Sequence, residues 1–164
     1  MGHDTISPIV IIIIIFKNME KGQPVWIQKT ISLSKNRGCY IITKDVLNVI
    51  GNDIKQISIG TVNLFLQHTS AAITINESYD PDVMKDLNNT INKLVPENNG
   101  YIHTDEGPDD APSHIKCAMI GPSLTIPIKD GSLLMGTWQG IILCEFRNSV
   151  KHRNIVATIN GLAK

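Results

Sequence analysis

Gly60-Thr61-Val62-Asn63-Leu64-Phe65-Leu66-Gln67-His68 is the stretch whose pattern sets the fold class. Val62, Leu64, Leu66 and His68 fall on one face of an extended chain, and Thr61, Asn63, Phe65 and Gln67 on the other. Side chains alternate along a strand, so this is the signature of a half-buried one. The same period recurs on both sides. Upstream, Val25 to Leu33 places Ile27, Ile31 and Leu33 opposite Gln28, Thr30 and Ser32; Lys35-Asn36-Arg37-Gly38 interrupts it, and Cys39 to Ile42 resumes an extended run. Downstream, Ala72 to Glu77 sets Ile73, Ile75 and Glu77 in phase, and Leu124, Ile126 and Ile128 alternate around Pro127, which argues for an edge position. Asp130-Gly131 reads as a tight hairpin into Leu133 to Met135. Ile141 to Arg147 and Ile155 to Ile159 complete about seven strands.

Helix signals interrupt the strands. Thr43 is placed to cap a short helix carrying Val46, Leu47 and Ile50, with Gly51 as its stop. Asp80-Pro81 opens the strongest helix, with Asp82 and Asp86 near its positive end; Val83, Leu87, Ile91 and Leu94 form its buried stripe and Pro96 ends it. A third helix is expected from Ser113 to Ile120, stopped by Gly121-Pro122. The expectation is an α+β fold: a compact single-domain β-rich sandwich of about seven strands with two or three inserted helices.

The length of 164 residues suits one domain, read as residues 21–164 behind a non-core N-terminal extension over residues 1–20. Ile9 to Phe16 is a run of eight apolar residues, far short of the roughly 20 that span a bilayer. Gly2-His3-Asp4 is not the basic start of a signal peptide. No membrane partner is expected. Lys+Arg and Asp+Glu both number 15, so no basic field is available for nucleic acid. Cys39, Cys117 and Cys144 make neither a CxxC pair nor a disulfide framework, and a reducing, cytoplasmic location follows as the default.

The compositional anomaly lies between Glu97 and His114, a stretch with five carboxylates, two imidazoles and no Lys or Arg. Crowded acids are either solvated or gathered around a cation, and oxygen with imidazole ligands suits a divalent metal such as zinc or magnesium. Gly107-Pro108 and Pro112 stiffen the stretch, and His114 would sit in the first turn of the third helix. His103, His114, Glu106 and Asp109 are therefore the expected metal ligands. His68, at the core edge and followed by Thr69-Ser70, is a third imidazole for the site. Gly136-Thr137-Trp138-Gln139-Gly140 would present an indole from a turn to a heteroaromatic ring or a neighbouring subunit. Glu145 and Arg147 share a strand face as an ion pair or a pocket wall. No HExxH, G-x-S-x-G or GxxxxGK[ST] motif is present, which sets aside the metalloprotease, serine-hydrolase and P-loop readings.

Taken in order, His68-Thr69-Ser70-Ala71-Ala72, Asn76-Glu77 with Asp80-Pro81-Asp82-Val83, His103 with the run from Glu106 to Lys116, Ser123 to Ile128, and Gly136 to Gly140 with Glu145 and Arg147 resemble the YjbQ family. The resemblance runs from about Val25 to the C-terminus; Ala111 and Phe146 stand where the family commonly has Met and His. It implies a β-rich α+β homotrimer with the His/Asp loop lining a pocket. Members carry the label of secondary thiamine-phosphate synthase. The implied enzyme is a transferase on a phosphorylated small molecule, with a divalent metal to neutralise a departing pyrophosphate. On that reading His68, His103, His114, Asp110 and Glu145 are catalytic, and Trp138, Arg147, Lys116 and Thr69 bind substrate. The alternative is a non-catalytic trimeric metal- or ligand-binding module. Sedimentation at micromolar concentration should give a species of three times the mass of one chain; a clean monomer would remove the homotrimer.

Overall fold

In the computed structural model the described residues are 20–164; the Ile9–Phe16 run and the extension it belongs to lie outside them. Eight strands and three helices follow in the order β1 (Pro24–Lys35), β2 (Gly38–Ile41), α1 (Thr43–Ile54), β3 (Ile57–Leu66), β4 (Ala71–Glu77), α2 (Pro81–Leu94), α3 (Asp110–Ile120), β5 (Ser123–Lys129), β6 (Ser132–Leu133), β7 (Gln139–Glu145) and β8 (Lys151–Ala163). This is the expected α+β class. All strand pairs are antiparallel, in a five-stranded sheet of order β1-β8-β3-β5-β6 and a three-stranded sheet of order β2-β7-β4.

The alternating residues supply the core between the sheets. Val62 and Leu64 of β3, Ile126 and Ile128 of β5, Ile155 and Ile159 of β8, and Ile73, Ile141 and Leu143 from the smaller sheet pack into one cluster with Ile42, Val46 and Ile50. A second cluster of Ala72, Met84, Cys117, Ile142, Cys144 and Phe146 lies on the other side of β7, under α2 and α3. The smaller sheet is thus covered on both faces. That is why every residue from Gly140 to Arg147 is buried and why β7 reads as a continuous apolar run rather than an alternating one.

Several boundaries move from their sequence-based positions. Thr43 is the first residue of α1 rather than its cap, and its hydroxyl instead accepts a hydrogen bond from Ile141 N at 2.9 Å. Gly51 does not stop the helix, which runs to Ile54 because Ile54 still has core to bury. In α2, Asp80 caps through its side chain to Asp82 N as expected, but Leu94 is exposed and Met84 takes the buried place. The third helix begins at Asp110, three residues before Ser113; Pro112 is accommodated because the first turn needs no N–H donors. Pro127 is tolerated one strand in from the edge. It pairs with Thr61 on β3, while its carbonyl accepts from Leu134 N just where the two-residue β6 ends. Asp130 and Gly131 both adopt positive φ, the hairpin geometry that their sequence predicts. No helix among the described residues is long and apolar enough to cross a membrane.

Gly60 and Gly161 face each other across β3 and β8. A Cβ on Gly161 would lie 2.4 Å from Ile59 O, against backbone that cannot yield. Gly161→Ala is therefore expected to cost roughly 1–3 kcal/mol. Gly51→Ala meets nothing closer than Leu47 Cβ at 3.9 Å and should add about 0.5–1 kcal/mol of stability as a helix-interior glycine replaced. Denaturant midpoints of the two variants should move in opposite directions; shifts of the same sign would contradict this packing.

Candidate functional site

The site is assembled at the start of α3. Asp109 and Asp110 sit at the helix N-terminus, where carboxylates are favoured by the backbone dipole, and the chain just beyond β7 delivers Arg147 to them. Arg147 Nε donates to Asp109 Oδ2 at 2.9 Å, its Nη1 to Asp110 Oδ1 and to Glu106 Oε2 at 3.3 Å, and its Nη2 to Glu106 O at 2.9 Å. Asn148 N donates to Asp109 Oδ2 at 2.8 Å. Burial opposes ionisation of Asp109, but the hydrogen bonds from Asn148 and Arg147 outweigh it and hold its carboxyl below the ordinary range. The acids that look uncompensated in sequence are thus compensated from a distant strand. Glu97 is paired likewise, with Arg37.

This arrangement corrects the expected ligand set. Glu106 and Asp109 spend oxygens on Arg147, whose guanidinium donors are in turn engaged by Glu106, Asp109 and Asp110. The carboxylate that meets the imidazoles is Asp110, 1% exposed, with Oδ2 2.8 Å from His103 Nε2 and Oδ1 3.3 Å from His114 Nε2. One donor atom from each of His103, Asp110 and His114 lies within 4.8 Å of the others. The His103 approach lacks hydrogen-bond geometry, so Asp110 Oδ2 is a buried oxygen without a hydrogen-bond partner. Leaving such an oxygen unpaired is costly unless something else is meant to meet it. His114 Nδ1 lies 2.9 Å from the Thr69 carbonyl, which can only accept. That contact places a ring proton on Nδ1 and leaves Nε2 as the atom that faces Asp110, the orientation a metal-ligating histidine requires.

The remaining expected residues separate from this cluster. His68 lies two residues beyond the end of β3, and its Nε2 accepts from Asn154 N at 2.9 Å, so that lone pair is spent. Burial, assisted by the nearby Arg153 charge, pulls its pKa below the ordinary histidine value. Glu145 is fully buried and forms a two-point pair with Arg153, at 2.5 and 2.6 Å, rather than with the Arg147 side chain. Arg153 escaped the sequence reading, although it falls in phase with the inward Ile155, Ala157 and Ile159 of β8. Lys116 is 1% exposed, donates to Asn92 Oδ1 at 2.7 Å, and cannot reach a substrate. Burial and the neighbouring Arg37 charge push its ammonium down to about 8. Trp138 stands half-exposed against Tyr79, ring centroids 4.9 Å apart, beside Glu77 and Asp80 in a separate shallow pocket. Thr69 does line the grooves at the cluster. The three cysteines are free, with Cys39 and Cys144 in cross-strand register.

An antiparallel two-sheet α+β domain with a His–Asp–His cluster held at a helix start by a buried arginine defines the class of protein. The family described as UPF0047 protein YjbQ-like matches residues 28–162, and the chain belongs to that family. It is 46% identical over 138 residues to UPF0047 protein YjbQ of Escherichia coli O157:H7, covering 84% of this chain and 99% of that protein. It is 40% identical over 116 residues to a UPF0047 protein of Methanocaldococcus jannaschii, covering 71% and 80%. Among solved structures, a YbjQ-like protein of Sulfolobus solfataricus P2 superposes with a TM-score of 0.76 at 26% identity, covering 85% of this chain and 99% of that one. A YjbQ/UPF0047 family protein of Clostridium acetobutylicum gives 0.69 at 34% identity, covering 81% and 98%.

The depressed His68 pKa has a consequence for stability. On acidification the unfolded chain takes up a proton at the ordinary value of 6.5 while the folded His68 resists it. The unfolded state then binds more protons, and stability falls as pH drops through 6.5 toward the lower folded value. His68→Gln, which keeps an acceptor for Asn154 N, should remove part of that decline. Denaturant midpoints at pH 7.5 and 5.5 measure it; equal declines in both proteins would show that His68 does not contribute.

Proposed function

We propose that the chain is a metal-dependent enzyme acting on a small molecule, with His103, Asp110 and His114 as the protein ligands of one divalent ion. The observation that carries this reading is the buried, unpartnered Asp110 Oδ2 facing His103 Nε2, with His114 oriented beside it. A carboxylate oxygen and an imidazole nitrogen 2.8 Å apart, without hydrogen-bond geometry between them, suit a shared cation. Two imidazoles and one carboxylate favour zinc or another transition ion over magnesium, which prefers oxygen alone. The donor atoms are close enough for one ion with bonds of roughly 2 Å to gather them by small side-chain movements.

Such an ion supplies, when bound, a Lewis acid and a water acidified toward neutral pH. The protein's own contribution is orientation. Arg147 fixes Asp110 through Oδ1, which also lies beside His114, and leaves Oδ2 directed at His103, while the Thr69 carbonyl orients the His114 ring. Glu106, 69% exposed in its side chain and touching Arg147 through Oε2, is the carboxylate at the lip that can exchange protons with solvent. The family resemblance implies transfer of the thiamine-phosphate synthase type, but no Lys or Arg lines the grooves at the cluster to hold a phosphate. Assembly as a homotrimer belongs to the same proposal.

Protein purified without an affinity tag should carry about one equivalent of zinc or a similar ion by elemental analysis. The His103→Ala/His114→Ala double variant should lose it while keeping its circular dichroism spectrum. Stoichiometric metal retained by the folded double variant would retire the assignment. Turnover assays of metal-replete protein then separate an enzyme from a binding module.

A further inference from the structure

Two open grooves meet at the cluster, one on each side of His114 and Thr69, which line both. The first, about 780 Å³, is walled by Tyr101, Ile102, Ala111 and Ile115 and reaches His103; the second, about 710 Å³, is walled by Phe65, Cys117, Ala118 and Pro122 and reaches His68. Neither lining contains a Lys or Arg. The cations nearest by sequence and bonding are all withdrawn: Lys116, Arg147 and Arg153 are 1%, 6% and 4% exposed, and Arg147 and Arg153 are already neutralised by carboxylates. An anionic ligand would therefore find no side-chain cation in either lining. Meanwhile Ile102 is fully exposed and Ile115 is 39% exposed at the mouth of the same groove. Apolar side chains gathered at a concave, uncharged surface beside a polar cluster are the lining of a small-molecule site.

We propose that the ligand of this site is an uncharged molecule with an apolar, ring-sized body. Its single donor atom meets the His103–Asp110–His114 cluster, and its body lies between Tyr101, Ala111 and Ile115. The inference rests on the reading of the cluster as a metal site and adds the chemical class of what binds there. It sets the phosphorylated substrate aside: the grooves offer apolar contact, while an anion would depend on the ion alone. The groove on the His68 side gives the same ligand room to extend, since no Lys, Arg, Asp or Glu lines it.

The test uses the full chain loaded with zinc, its metal content measured in every sample. Imidazole, 4-phenylimidazole, inorganic phosphate and phenyl phosphate are compared by titration calorimetry. 4-Phenylimidazole should bind roughly tenfold to a hundredfold more tightly than imidazole, the gain expected from burying one ring. Ile115→Asp should abolish most of that gain, and phenyl phosphate should bind more weakly than 4-phenylimidazole. Equal affinities for imidazole and 4-phenylimidazole, with zinc present at one equivalent, would overturn the ligand class and leave the metal site standing. A tighter phenyl phosphate would overturn it equally. Absence of bound zinc overturns the metal reading and this inference with it. A gain that returns only when Ile102→Asp breaks an oligomer would show that a second copy fills the groove, which also overturns the proposal.

Discussion

One buried guanidinium organises the functional end of this molecule. Arg147 leaves the last turn of the β7 path almost without solvent and is met by Glu106, Asp109 and Asp110, which come from a segment some forty residues earlier. A charge in that position is tolerable only because it is paired several times and its donors are filled. The same contacts make the acidic segment possible, since three carboxylates so close together would otherwise repel. Removing the arginine would therefore release the N-terminus of α3, and with it Asp110. The clamp also divides the labour between the two oxygens of Asp110. One is tied to Arg147 and lies beside His114, and the other is left without a hydrogen bond, facing His103.

The rest of the fold holds that clamp in place. Burying the smaller sheet on both faces fixes β7 between the inter-sheet core and the α2–α3 layer, so its C-terminal end has little freedom. Glu145, two residues before Arg147, is fixed separately by Arg153 from the larger sheet, and Arg147 N donates to Glu145 Oε1 at 3.0 Å. Two buried ion pairs thus sit side by side on one strand end and are coupled through backbone. The half-buried loop Gln67–Ser70 joins the same end. Its carbonyls serve His114 and Cys117, and its His68 accepts from β8. Elements from both sheets and from α3 converge on a few residues, so the geometry of the cluster is a property of the whole domain.

The chemistry follows from what is left over once these pairs are made. Around the cluster, positive charge is consumed internally and the surface offered to a ligand is apolar, with two imidazoles and one carboxylate oxygen as its polar centre. Belonging to the UPF0047 YjbQ-like family identifies the fold and its motifs. It is the pairing pattern that says which of the polar residues around the cluster remain available to act.

Periodicity with local cap and turn chemistry determined the strands, the Asp80-capped helix, the Asp130-Gly131 hairpin and the α+β class, because burying one face imposes period 2 or 3.6 and Asp-Pro and Asp-Gly mark a helix start and a tight turn. The concentration of acids and imidazoles between Glu97 and His114 also marked the right segment. What local pattern could not supply was the partner of each charge. Glu145 and Arg147 lie on one strand face and look like a pair, yet each is satisfied by a residue from another element. Lys116, beside His114 in sequence, faces the other side of α3 and is buried against Asn92. Asp110 rather than Asp109 became the cluster's carboxylate because Asp109 is taken by Arg147 and Asn148, contacts that only the packing of α3 and β7 creates. Charge pairing and solvent access are long-range properties, decided where distant segments meet, and only the tertiary structure brings those segments together.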